Sequence, residues 1–313
     1  MPSVASMRSL SLLLVLVSAL AESRPADACS APLCWPGGFV PGDGTTIPQN
    51  APGLYWRPVR NLSTGTAPDP ASVTLTTLAD PSTALPFTAT ALPGGDYVIV
   101  PDQPLVEGTT YVLEDLATCG GAPGPRVTFT AGPSAPLPTS LGTVSTDPHG
   151  LRGELEVATA SGSCSTTIDA VSMSISLLPS TDAAPWMSLL LFETVVDDQP
   201  WKIQSSINFP PPPGGSWRGR GRDLVFRTCT PNLDASYPGM APGGHPVAFR
   251  ASLPNMQPIS TPDLNVELMC DSITDPDPTD PSDDSGGCTS TTPTSSSLLL
   301  VAFAVLLRRR RDH

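Results

Sequence analysis

Leu105 to Leu113 reads LVEGTTYVL, and the fold follows from how that stretch is parsed. Leu105-Val106 closes an apolar step, Glu107-Gly108 supplies a turn, and the run continues as TTYVLEDL through Leu116. Such a segment, rich in β-branched and aromatic residues and bounded by turn residues, reads as a half-buried strand. The same grammar extends outward on both sides. Ser72–Leu78 (SVTLTTL), Leu85–Ala91 (LPFTATA), Asp96–Val100 (DYVIV) and Arg126–Thr130 (RVTFT) are short and β-rich, and several alternate with period two. Turn residues such as Pro93-Gly94-Gly95 separate them. With 39 prolines in 313 residues, a long-helical chain is excluded, because Pro removes a helix hydrogen bond and clashes with the preceding turn.

The order in that stretch, a Leu, a Gly108-Thr109 turn, then Tyr111 ahead of alternating apolar residues, resembles the tyrosine corner of immunoglobulin and fibronectin type III sandwiches. Phe39–Pro48 (FVPGDGTTIP) resembles the opening strand of bacterial immunoglobulin-like domains. Together they cover residues 38–131. The resemblance implies two packed sheets, with the Tyr111 phenol bonded to a backbone group upstream.

Beyond a Pro-rich stretch at Gly132–Thr139 (GPSAPLPT), read as a linker, a second β zone runs to Cys270. Its expected strands are Leu151–Ala158, Ile168–Leu178, Trp186–Val196, Trp201–Phe209, Asp223–Cys229, Val247–Leu253 and Leu264–Cys270. About seven strands in some 130 residues is a sandwich count. The segment Pro210–Gly215 reads as an exposed polyproline turn. The expected fold is therefore all-β: two tandem Ig-like β-sandwich domains at 29–135 and 136–272. A signal helix (1–28) precedes them. An acidic Asp/Pro linker (273–287) and a short membrane-helix segment (288–313) follow.

Charge and export signals agree on compartment. Net charge is −13, and Arg308–Arg311 with Arg8 supply five of the 16 bases. Glu22–Gly287 holds 28 acids against 11 bases, a net charge near −17. A surface of that sign repels phosphate backbones, which argues against nucleic acid as a partner. Arg8 followed by the apolar run Leu10–Leu20 reads as a secretory signal, with A-x-A cleavage sites ending at Ala21 or Ala28. Six cysteines precede the acidic segment: Cys29, Cys34, Cys119, Cys164, Cys229 and Cys270. In an exported chain they are disulfide candidates, and six allow 15 pairings. No pair has C-x-x-C spacing, so zinc and thioredoxin-type chemistry lack support.

The C-terminus joins Gly287-Cys288, a Ser/Thr stretch, the apolar run Leu298–Leu307 (LLLVAFAVLL) and four arginines. That run gives roughly 15–20 Å of helix, short of the ~30 Å hydrocarbon core unless the Ser/Thr stretch is recruited or the bilayer thins. The arrangement resembles the myxobacterial-type sorting signal MYXO-CTERM, over about 26 residues. The Ser/Thr gap after Cys288 is longer and more polar than that pattern. The resemblance implies recognition by a membrane sorting peptidase, processing or modification at Cys288, and display at the cell surface or outer membrane.

Sites for chemistry are sparse. Asp275-x-Asp277-x-x-Asp280-x-x-Asp283-Asp284 has carboxylates for calcium, but Pro276, Pro278 and Pro281 splay the backbone and no Glu closes the shell. No metal or other cofactor is expected. His149 (DPHG) and His245 (GGHP), both in turn contexts, are the histidines before the tail, and no G-x-S-x-G elbow marks a nucleophile, so no catalytic residue is assigned. Arg218-Gly219-Arg220-Gly221-Arg222 is a basic cluster after Trp217, suited to an anionic polysaccharide or lipid head group. Trp35, Tyr55 and Trp56 are candidate sugar-stacking rings. The reading is a surface-anchored, non-enzymatic structural or adhesive envelope protein. A glycan- or calcium-binding module, or one with a protein ligand, is the alternative, and a secreted hydrolase using His149 or His245 is the third.

Overall fold

The computed structural model describes residues 34–61, 69–159, 165–201, 213–230, 235 and 239–270. The expected signal with Ala21 and Ala28, Cys29, Cys164, the acidic linker, Cys288 and Leu298–Leu307 lie outside the described residues. Among those described there are strands and two short 3-10 turns, and no helix is long and apolar enough to cross a membrane.

Residues 38–132 form two four-stranded sheets. One orders β1 (Gly38–Val40), β3 (Leu54–Arg57), β6 (Tyr97–Pro101) and β5 (Phe87–Ala91). The other orders β2 (Thr45–Pro48), β8 (Arg126–Gly132), β7 (Thr110–Asp115) and β4 (Val73–Thr77). β2 and β8 are parallel and the remaining pairs antiparallel. Lettered along the chain, the sheets are A-B-E-D and A′-G-F-C, the constant-type immunoglobulin arrangement with its first strand split between sheets. All five strands expected between Ser72 and Thr130 form, within one to two residues of their expected ends.

Alternation puts Ile47, Leu54, Trp56, Leu75, Ile99, Leu113 and Phe129 inside, each at most 1% exposed. Burying each side chain of this kind is worth about 1.5–3 kcal/mol. Tyr111, facing the same interior, stacks on Phe129 at 5.4 Å and accepts a 2.8 Å hydrogen bond from the Val106 backbone N–H. The tyrosine corner is therefore present. Its turn requires Gly108, whose φ of 80° suits a residue without Cβ and whose N–H reaches the Ala131 carbonyl.

The second pair of sheets is built differently. Its first sheet centres on β11 (Ser165–Pro179), 15 residues long. β9 (Gly142–Thr146) and β10 (Leu151–Ala158) pair with successive halves of β11 along one edge. β13 (Arg222–Thr228) pairs along the other. The facing sheet joins β12 (Leu191–Val196) to β14 (Gly244–Ser252) and β15 (Leu264–Glu267), with short additions at Gln199–Pro200 and Ile259–Ser260. Trp186–Val196 was expected as one strand; the structure gives a strand only from Leu191. Ala184–Trp186 instead makes a 3-10 turn in which the Trp186 N–H bonds the Ala183 carbonyl. Trp201 is not in a strand, and the rest of that expected strand lies outside the described residues.

Gly132–Thr139 joins the two pairs of sheets as a pinned segment rather than a loose one. Asn50 exchanges two hydrogen bonds with Ala135, the Trp186 indole donates to the Pro136 carbonyl at 2.8 Å, and Asp182 accepts from the Thr139 N–H and hydroxyl. The buried apolar residues form one cluster from Phe39 to Leu268.

Candidate functional site

The two candidate histidines lie apart from any catalytic partner set. His149 is exposed in the turn between β9 and β10. His245 was expected in a turn, but the bend ends at Gly243 and His245 is the second residue of β14, opposite Val266. Its Nδ1 lies 2.6 Å from Asp197 Oδ2 and its Nε2 3.0 Å from the Ala241 carbonyl. Asp197 and Asp198, at φ 53° and 61°, are the centre of the two-residue turn that joins β12 to Gln199, a primed-type hairpin. One imidazole nitrogen thus faces the β12 hairpin turn and the other the segment leading into β14, and neither is directed at a serine. Among the described residues no three His, Cys, Asp or Glu side chains group as a metal site; the acidic run Asp275–Asp284 lies outside them.

Among the described residues two disulfides form, Cys34–Cys119 and Cys229–Cys270, with Cα–Cα separations of 5.6 and 5.4 Å. The first ties the ladder of Cys34–Trp35 and Arg60–Asn61 to the small hairpin of Thr118–Cys119 and Ala122–Pro123. The second ties the end of β13 to the residues after β15, at the last of the described residues. Two guanidiniums reinforce that exit. Arg152 forks onto Asp169 at 3.0 and 2.8 Å and donates to the Cys270 carbonyl at 3.0 Å, and Arg227 donates to the Leu268 carbonyl at 3.0 Å. The hydrogen bonds from Arg152 hold the Asp169 carboxyl below its ordinary range.

The aromatic candidates are mostly structural. Trp56 is fully buried; its indole donates to Asp115 at 3.1 Å and its ring lies 4.9 Å from Tyr97. Tyr55 is 7% exposed and its hydroxyl donates to Asp96, which also pairs with Arg60 at 2.7 Å and Arg57 at 3.5 Å. Burial, with the Asp96 carboxylate second, pushes the Tyr55 phenol up to about 12. Trp35 is half-buried beside Cys34. Trp56 therefore offers no ring face to a sugar, and Tyr55 keeps only a small exposed surface.

Sequence reasoning missed a cleft of about 420 Å³ between the two pairs of sheets. Tyr55 and Arg57 of β3 form one wall, and Leu191–Thr194 of β12, Trp201 and Gly214–Ser216 the others. Asp223 lies in it, 2% exposed, accepting from the Thr194 hydroxyl at 2.5 Å and the Leu224 N–H at 2.8 Å. Burial outweighs these bonds and pushes its carboxyl up to about 6. Period two along RDLVFRT puts Asp223 on the face of Val225, and that was the available signal. Asp223 also borders a second cleft, of about 400 Å³, lined by Ser174–Ser176, Arg218, Arg222 and Leu224. The outer arginines of the basic cluster therefore share one depression, while Arg220 turns inward to the Leu190 carbonyl at 2.6 Å.

No protein-family model matches this chain, and no curated protein matches it. Among solved structures, the crystal structure of the chicken CNTN1 FN1–FN3 domains aligns over 76% of this chain, at 13% identity and a TM-score of 0.20. The chain spans 64% of that structure, less than two thirds of its length. A similarity that low leaves the strand order and side-chain geometry as the basis for describing this fold.

Proposed function

We propose that this chain is an exported, surface-tethered, non-enzymatic protein with a structural or adhesive role in the cell envelope. The observation that carries this reading is the clamp at the chain exit, where Cys229–Cys270 and the bonds from Arg152 and Arg227 fasten residues 268–270. The acidic, Pro-rich spacer begins directly beyond, so a pull on the tail is received by a covalent cross-link and not by hydrogen bonds of a last strand alone. Disulfides of this kind belong to proteins that mature in an oxidising compartment.

In this reading the signal ends at Ala21 or Ala28, and two tandem Ig-like sandwiches occupy 29–135 and 136–272. Residues 273–287 form the stalk and 288–313 the sorting segment, with Leu298–Leu307 in the membrane and Cys288 the site acted on by a sorting peptidase. The partners are the envelope through the tail and a glycan or protein ligand through the sandwiches. No cofactor is involved.

Intact mass and membrane fractionation of native protein, with and without thiol reduction, test this. The expected result is an N-terminus after Ala21 or Ala28, thiols released only on reduction, and an envelope-associated product altered at or after Cys288. A cytoplasmic product that keeps Arg308–Arg311, or free thiols throughout, overturns it.

A further inference from the structure

Nine arginines fall within the described residues, and seven have an evident structural partner. Arg57, Arg60, Arg126, Arg152 and Arg250 face carboxylates, and Arg220 and Arg227 face backbone carbonyls. Among the described residues Arg218 and Arg222 have no carboxylate within ion-pair distance, although Asp223 is near enough to feel the charge of Arg218. Both guanidiniums are exposed, and both line the same 400 Å³ cleft. That volume suits one small ligand.

The scaffold holding them is rigid. Ser216 to Gly219 closes as a tight turn, with Ser216 N–H to Gly219 O at 3.2 Å and Gly219 N–H to Ser216 O at 3.1 Å. The buried Ser216 hydroxyl braces it further by donating toward the carbonyls of Gly219, at 2.8 Å, and Arg222, at 2.6 Å. Trp217 and Arg218 are the central pair of this turn, and the Arg218 guanidinium lies 4.6 Å from the centroid of the Trp217 ring. Trp217 is in turn set edge-on against the buried Phe226. Arg222 opens β13, opposite Ser176 of β11. A stacked guanidinium, a second guanidinium and the hydroxyls of Ser174 and Ser176 thus surround the cleft. Its one carboxylate, Asp223, is buried and accepts from Thr194 and Leu224, and it offsets part of the Arg218 charge, so the cleft keeps a net positive charge.

We propose that this cleft binds the carboxylate of an acidic sugar residue, a uronate unit of an anionic polysaccharide, between Arg218 and Arg222. A guanidinium fork matches a carboxylate in two parallel hydrogen bonds. The hydroxyls of Ser174 and Ser176 provide hydrogen-bonding contacts for a pyranose, while the Trp217 ring positions Arg218 from behind. The cleft is concave, and five of its seven lining side chains are charged or carry a hydroxyl, unlike a membrane-docking face. Net negative charge opposes approach to an extended anionic surface, but at physiological salt charges act over only about 8 Å, so the two local guanidiniums dominate within the cleft. Binding here needs no tether and holds whether or not the tail is processed.

The test titrates the folded, purified protein with oligogalacturonate and with maltohexaose. Inorganic phosphate and phosphatidylglycerol vesicles serve as the alternative anions. The expected result is saturable binding of oligogalacturonate, none of maltohexaose, and much weaker binding of phosphate and vesicles. Arg218→Gln or Arg222→Gln alone weakens oligogalacturonate binding by about tenfold or more, as expected for one charge-assisted contact. Arg222→Lys falls between, because it keeps the charge and loses the fork. Arg126→Gln, on the other pair of sheets, leaves binding unchanged. Melting temperatures equal to the parent's confirm that the variants fold. The proposal is overturned if oligogalacturonate fails to bind, if it binds equally to the double Arg→Gln variant, or if phosphate or vesicles bind as well as the sugar.

Discussion

Asp115, in the first pair of sheets, is 1% exposed, and Asp223, in the second, is 2%, yet the two carboxylates sit in opposite surroundings. Asp115 accepts from the Trp56 indole, the Val59 N–H, the Ser72 hydroxyl and the Ala117 N–H, at 3.1, 3.3, 3.0 and 2.9 Å. Four donors, two on each oxygen, replace the water it gave up. Asp223 is helped by the Thr194 hydroxyl, the Leu224 N–H, and more weakly by the Arg218 charge and the Trp217 backbone, yet burial outweighs them and lifts its carboxyl to about 6. A carboxylate with its donors complete acts as a fastener between strands. One left short of donors is a cost the fold carries, and such costs gather where surfaces are shaped for binding. Asp223 borders both clefts between and beside the sheets; Asp115 borders neither.

Replacing each acid breaks the comparison most directly. Asp115→Ala strands four donors, two of them in the core, and is expected to cost about 3–5 kcal/mol. Urea denaturation followed by Trp56 fluorescence reads this. A loss under about 1 kcal/mol, the size of an ordinary surface substitution, would show that Asp115 is not the fastener.

Asp223→Asn works in the other direction. Asparagine keeps an acceptor for the Leu224 N–H and can donate to the Thr194 hydroxyl, while removing the charge. A carboxyl whose folded value is raised from 3.8 to about 6 favours the native state while protonated. Its contribution is complete below about pH 4 and is lost as pH rises through 6. The variant is therefore expected to match the parent at pH 4 and to exceed it by about 1–3 kcal/mol at pH 8. Chemical denaturation at the two pH values checks this, and an equal offset at both would refute it.

Tyr111→Phe gives a smaller effect on the first pair of sheets. It removes the acceptor of the Val106 N–H while leaving the ring on Phe129, for an expected loss of about 1–2 kcal/mol by thermal or urea unfolding. A neutral result would make the hydroxyl incidental and leave ring packing to define the corner. Tyr111 is also the residue through which the fold was legible. A turn glycine with an aromatic three residues on is a local pattern, and local patterns survive in sequence. The strands around it were readable for the same reason, since each alternates and ends at Gly or Pro. The second pair of sheets was less legible because its decisive contacts are non-local. Trp186 reads as a strand opener until the carbonyl of Pro136, 50 residues away, takes its indole N–H. The basic cluster was visible as three arginines, but that the middle one turns inward while the outer two share a cleft depends on the Leu190 carbonyl and on Ser174 and Ser176, none of them nearby in sequence. Asp223 in RDLVFRT carries the alternation of a strand, and only the opposing sheet makes both faces of that strand interior.

His245→Ala is expected to do least, and the small size of its effect is informative. The ring ties the Asp197 hairpin turn to the segment entering β14 by facing Asp197 and the Ala241 carbonyl, and Asp197 is about half exposed, so solvent screens the pair and its loss costs under about 1 kcal/mol. A histidine held ready as a general base presents one nitrogen to a reacting group; here both nitrogens face structural oxygens, of Asp197 and of Ala241. The hydrolase reading predicts that His245→Ala leaves stability unchanged and abolishes turnover of an ester or peptide substrate. The structural reading predicts a slight loss of stability in the second pair of sheets and the same background hydrolysis in parent and variant. Measuring both on one preparation separates the two, because turnover that disappears with the imidazole would place chemistry at a site where the hydrogen bonding describes a hairpin clasp.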